Sequence, residues 1–183
     1  MANPHDDLAA PSAWIARWAT LVPTGGRVLD VACGSGRHAR FFAGRGHPVV
    51  AVDRDATAVA RLAGTSGVET RIADLEGAPW PLGQAGFDAV VVANYLSRPL
   101  FPHLCGALRP GGILIYETFM QGNQRFGRPS NPEFLLAPGE LLDLIAGDLT
   151  PVAFEQGVVS TPKPAAIQRL CAARAAPETV FLT

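Results

Sequence analysis

Residues 27–36 read Arg27-Val28-Leu29-Asp30-Val31-Ala32-Cys33-Gly34-Ser35-Gly36. Up to Ala32 this is a short apolar run, the pattern of a strand buried on both faces. The glycines that follow permit a tight turn and let a ligand approach the backbone. The next stretch, 37–45, suits a helix that Gly46 closes. Strand, glycine turn and helix in that order form the first unit of a parallel α/β sheet.

The same alternation continues on both sides. Upstream, a helix is expected over 11–22: Ser12 caps it, and Trp14, Ile15, Trp18, Leu21 and Val22 share one face. Pro23 and Gly25-Gly26 end it. Downstream come a strand at 48–52, a short helix capped by Asp55 and running to 63, and strands at 68–72 and 87–93. A helix at 100–108 is closed by Pro110-Gly111-Gly112, and a fifth strand covers 113–119. A long polar loop occupies 121–137, followed by a helix at 138–146. Two last strands, 149–160 and 165–174, are joined by only Thr161-Pro162-Lys163-Pro164, so they form a hairpin and one of them runs antiparallel. The expected fold is α/β: a doubly wound, Rossmann-like, seven-stranded and mostly parallel sheet that ends in an antiparallel hairpin, in one domain over 1–183. The last nine residues have no pattern and are expected to fray.

Bulk properties exclude several classes. The chain has 183 residues, 48% hydrophobic and 17% charged, a globular composition. A net charge of −1 gives no field to attract nucleic acid or an anionic membrane. Lys163 is the only lysine, and the arginines are dispersed. Cys33, Cys105 and Cys171 are far apart with no CxxC pair, so neither a metal site nor a disulfide framework is expected. The start, Met1–Leu8, carries Asp6 and Asp7 and lacks the basic and apolar regions of a signal peptide. No apolar run approaches the ~20 residues a membrane span needs. The expectation is a cytoplasmic protein, monomer or homodimer.

In an open parallel sheet, ligands bind beyond the carboxyl ends of the strands. After the first strand stands the glycine turn, where a helix start offers free N–H groups. After the second stands Asp53, 19 residues past Gly34, the spacing at which an acid accepts both hydroxyls of an adenosine ribose. After the third stands Asp74, placed to accept the exocyclic amine of adenine. Together they point to a bound adenosine. Asp30, four residues before Gly34, separates the possibilities. An acid there neutralises the amino group of S-adenosylmethionine (SAM) and repels the pyrophosphate of NAD.

The segments VLDVACGSGRHARFFAGRG (28–46), AVDRD (51–55), ADLE (73–76) and LRPGGILIYETF (108–119) together resemble class I SAM-dependent methyltransferases, over roughly residues 27–174. Within that class, NYLSRPLFPHL (94–104) and ETFMQGNQRFGRPSNPEFLLAPGEL (117–141) resemble the tellurite-resistance-type branch of small methyltransferases. The resemblance implies SAM as cofactor and S-adenosylhomocysteine (SAH) as product. It implies that Asp30, Gly34 and Gly36 hold the methionine part, Asp53 the ribose, and Asp74 and Leu75 the adenine; Ala32, Arg54, Ala93 and Asn94 are counted with the cofactor-binding residues. It places Ala93, Asn94 and Tyr95 along the methyl-transfer site. One departure is Ala32, where the family often has glycine.

Tyr95 and Arg98 are the candidate catalytic residues. Tyr95 is read as touching the sulfonium or the substrate. Arg98 either grips an anionic substrate bidentately or pairs structurally with a carboxylate. Glu117, inside a strand, is costly unless paired, and faces either the substrate or another buried group. Trp14 and Trp18 are read as packing on the sheet, His38 as a polar contact and Cys33 as a small packing residue. The 121–137 loop, with Asn123, Arg125, Phe126, Arg128 and Asn131, is the candidate substrate lid. No obvious general base stands out, which favours a small-molecule acceptor that is soft or already anionic. Alternatives are a NAD-dependent dehydrogenase, a nucleic-acid or protein methyltransferase, and a non-catalytic SAM-binding protein.

Overall fold

The computed structural model describes residues 10–175 together with Thr179. The Met1–Leu8 stretch and most of the tail expected to fray lie outside them. The seven-stranded sheet has the order β3-β2-β1-β4-β5-β7-β6. Its strands are β1 (Val28–Val31), β2 (Val49–Asp53), β3 (Val68–Ile72), β4 (Phe87–Ala93), β5 (Leu108–Phe119), β6 (Thr150–Val159) and β7 (Ala165–Ala173). β1 pairs in parallel with both β2 and β4, β2 with β3, and β4 with β5. The backward strand is β7, inserted antiparallel between β5 and β6. The strand order reverses between β1 and β4, the place where such sheets bind ligands.

Helices cover both faces. On one lie α1 (Ala13–Trp18) and α2 (Arg37–Ala43), whose Trp14, Ile15 and Phe42 pack on Val28, Val91 and Ile115. α3 (Ala56–Ala60) adds Val59 to that layer. On the other face α4 (Phe101–Ala107) and α5 (Glu140–Leu144) set Leu104 and Leu141 against Leu29, Val90 and Leu114. Both expected caps form: Ser12 accepts from the Trp14 N–H, and Asp55 from those of Thr57 and Ala58. Trp14 and Trp18 are buried, and the Trp14 indole N–H donates to the Leu170 carbonyl, which docks α1 on β7.

The helices are shorter than expected. The 11–22 helix is α1 followed by a 3-10 turn at Ala19–Leu21. β5 begins at Leu108, before the Pro110-Gly111-Gly112 stop, because Leu108 is in register with Phe87 and Gly111 donates to the Arg174 carbonyl. Pairing across the sheet overrides the local turn signal. The 121–137 loop carries two 3-10 turns, Asn123–Arg125 and Pro132–Phe134. It is anchored where buried Asn123 donates to the Pro129 carbonyl and accepts from the Ala166 N–H.

Candidate active site

The glycine turn joins β1 to α2, and its residues face different surroundings. Gly36 has φ +82°, and a Cβ there would lie 2.3 Å from the Leu62 side chain. It is the position that lets α2 start against the core. Gly34 has φ +53° and nothing within 4 Å of a Cβ, so the space above it is open. Ala32 also adopts a left-handed φ, 53°. That explains why glycine suits this position, since a side chain there costs ~1 kcal/mol of strain.

Three carboxylates gather at the strand tips. Asp53 accepts from the Gly34 N–H (2.8 Å) and the Asp55 N–H (2.9 Å), tying the end of β2 to the glycine turn. Asp74 accepts from Glu76 and Gly77 in a tight turn after β3. Asp30 is different. It is 1% exposed, and its Oδ2 has no hydrogen-bond partner among the described residues. Burial pushes its pKa up to about 7, against the pull of the Ala39 N–H and of Arg37. An unpartnered carboxylate oxygen in a closed site is costly unless a ligand meets it.

Arg37, which sequence reasoning missed, lies within electrostatic reach of it. The first residue of α2 is half-buried, and its side chain has no hydrogen-bond partner among the described residues. Burial lowers its pKa, opposed by the charges of Glu117 and Asp30. The available signal was its place directly after Gly36, at the start of a helix that faces an acid. 

Two adjoining clefts open beyond these groups. One is lined by Ala32, Asp53, Asp74 and Leu75. The other is lined by Asn94, Thr118, Phe119, Arg128, Asn131 and Phe134. Arg54, Glu76 and Tyr95 border both. The Tyr95 hydroxyl donates to Glu76 at 2.8 Å, and burial and then that bond raise its pKa. The buried Tyr116 hydroxyl donates to the Tyr95 carbonyl, holding the chain where Asn94 takes a left-handed φ of 58°. Ala93 precedes it at the end of β4. Arg54 and Arg128 have no acidic partner among the described residues. Arg125 lies outside the cleft lining, bonded to the Gly122 carbonyl and set over Phe126.

Arg98 is committed elsewhere. It donates to both oxygens of Glu140, at 2.5 and 3.0 Å, and to the carbonyls of Glu133 and Leu135. The geometry therefore makes it a fastener of the 121–137 loop rather than a free grip for a substrate. Glu117 is likewise paired, accepting from Arg169 at 2.5 Å. His38 accepts the Ser12 N–H (3.1 Å), and burial and Arg37 push its pKa down to about 3. Cys33 is buried and burial raises its thiol pKa, which suits packing and not nucleophilic attack.

Among the described residues no group of three or more His, Cys, Asp or Glu is arranged to hold a metal, and no helix is long and apolar enough to cross a membrane. Residues 28–112 match the family model described as "Methyltransferase domain". No curated protein matches the chain. Among solved structures, it resembles an S-adenosylmethionine dependent methyltransferase from Mesorhizobium loti, with 19% identity and a TM-score of 0.72 over 91% of this chain and 100% of that one. TehB from Haemophilus influenzae gives 16% and 0.75 over 93% of this chain and 64% of that one. Geranyl diphosphate C-methyltransferase from Streptomyces coelicolor A3(2), solved with Mg2+, geranyl diphosphate and S-adenosyl-L-homocysteine, gives 17% and 0.67 over 89% and 80%. At these identities the likeness to solved structures is one of fold.

Proposed function

We propose that this chain is a class I SAM-dependent methyltransferase, a reading that its matched methyltransferase domain and its fold support, and that it methylates a small-molecule acceptor that carries a negative charge. The observation that carries the acceptor reading is the cleft beyond Tyr95, where Arg54 and Arg128 stand without acidic partners among the described residues. Two such guanidinium ions suit a carboxylate or oxyanion.

The residues at the strand tips fit the cofactor. The unpartnered oxygen of Asp30 suits its ammonium, and the open face of Gly34 leaves room for its methionine chain. Asp53 keeps acceptor capacity for the ribose hydroxyls, and Asp74 and Leu75 border the cleft for adenine, while Arg37, first residue of α2 after the glycine turn, is assigned the carboxylate. When bound, SAM supplies a methyl carbon already activated by its sulfonium, so the protein's task is positioning and exclusion of water.

Tyr95, kept protonated and held by Glu76, forms the wall between the two clefts and orients the acceptor. Arg54 and Arg128 hold the acceptor's charge, and the 121–137 loop, clasped by Arg98, closes over it. Among the described residues no buried base lines the cleft, which suits a nucleophile that is already ionised or soft. The test is SAH release with panels of small carboxylates and oxyanions set against neutral amines and alcohols. Turnover confined to the anionic panel, with KM raised more than about tenfold in Arg128→Ala, is expected. Turnover confined to neutral acceptors would overturn the reading.

A further inference from the structure

The buried pair Glu117–Arg169 lies on the same sheet face as Asp30, close to the cofactor end of the sheet. Asp30 is in register with Val91, and Val91 with Ile115. Glu117 is two residues further along β5, so it projects from that face one step nearer the strand tips. Its neighbours in register are Ala93 of β4 and Arg169 of β7. Glu117 is 8% exposed, and Arg169 donates to its Oε2 at 2.5 Å. Arg169 is fixed in turn: its Nη1 is 3.5 Å from Glu155, and its guanidinium lies 6.0 Å from the Trp14 ring.

Arg37 feels the charges of both Glu117 and Asp30. Had its guanidinium closed onto Asp30, the Asp30 Oδ2 would be satisfied, and it is not. The cluster thus holds two acids and two cations, with one guanidinium and one carboxylate oxygen left without hydrogen bonds among the described residues. That is the complement of a zwitterion.

We propose that Glu117 is a positioning residue for the amino-acid end of the cofactor: pinned by Arg169, it holds the Arg37 guanidinium away from Asp30, so that Arg37 receives the cofactor's carboxylate and Asp30 its ammonium. This rests on the reading of the chain as SAM-dependent. It assigns Glu117 no contact with the reacting atoms and gives β7 a part in cofactor selection through Arg169.

The experiment compares two probes by calorimetry. SAH carries the amino-acid end, and 5′-methylthioadenosine keeps the nucleoside and thioether without it. In Glu117→Gln the Kd for SAH should rise about tenfold, the size of one charge-assisted hydrogen bond, while the Kd for methylthioadenosine stays unchanged. In an Arg37→Met background, Glu117→Gln should cost nothing further, because Glu117 acts through Arg37. Equal loss for both probes, no loss for either, or an undiminished effect without Arg37 would each overturn the proposal. If Glu117→Gln does not fold, Glu117→Asp, which keeps the charge but withdraws it by one methylene, carries the same comparison with the same sign. Wild-type protein that binds neither probe would overturn the cofactor reading itself. Wild type that binds both equally would leave the nucleoside site standing and overturn the roles of Glu117, Arg37 and Asp30 at the amino-acid end.

Discussion

Replacing Asp30 by asparagine should make the unliganded protein more stable and remove its affinity for SAH. The carboxyl is 1% exposed, receives an N–H from Ala39, and has one oxygen without a partner among the described residues. Burial raises its pKa from 3.8 to about 7. At ~1.36 kcal/mol per pH unit, keeping it ionised above pH 7 costs the folded state up to about 4 kcal/mol. The sign follows from proton counting. Between pH 4 and 7 the folded chain retains a proton that the unfolded chain has lost, so wild-type stability falls as pH rises and levels off above 7. Asparagine resembles the protonated acid, so the two proteins should be about equally stable near pH 4. Relaxation and water reduce the full cost, and a gain of ~2 kcal/mol is expected at pH 8, a rise in Tm of roughly 4–8 °C. Thermal melts from pH 5 to 8, paired with SAH calorimetry, check both halves. A variant less stable than wild type at pH 8, or one that binds SAH normally, would show Asp30 to be a structural acid and refute the reasoning.

The same carboxyl sets a pH dependence for the ligand. SAH affinity should climb between pH 5 and 7, by up to about tenfold per pH unit, and level off above 8 with proton release below it; a flat profile with no proton release contradicts this. The two glycines should separate. Gly36→Ala, with a methyl 2.3 Å from Leu62, should cost ~3 kcal/mol or more of stability. Gly34→Ala should cost only ~1 kcal/mol in melts yet weaken SAH more than about tenfold; equal stability losses would refute the assignment. Arg98→Ala should lower stability by about 1–3 kcal/mol, speed proteolysis within 121–137 and raise the acceptor KM. An SAH Kd that rose by the same factor would show that Arg98 does not act through the loop.

β1, β2 and β4 were readable as short apolar runs next to glycine, proline or an acid, β3 is polar and largely exposed but follows Gly67, and β1 to β4 keep the expected bounds within a residue or two. The start of β5 was not, since Leu108 becomes a strand residue only by pairing with Phe87. Nor was the insertion of β7 between β5 and β6, which no local pattern encodes. The acids at the strand tips were visible as spacing, because strand ends place them. Arg37 and the partners of Arg98 and Glu117 were not. Glu140 lies 42 residues from Arg98, and Arg169 lies 52 from Glu117. Such pairings exist only once the helices and β7 are in place, and they decide whether a charged residue is a tether or a free ligand.

The most direct test of the cofactor site is calorimetric titration of the purified protein with SAH, with NAD+ as control, on wild type and Asp53→Ala. Micromolar SAH binding that is lost in the variant and absent for NAD+ is the predicted result. Binding of NAD+ in place of SAH, or SAH binding unchanged by Asp53→Ala, would contradict the account.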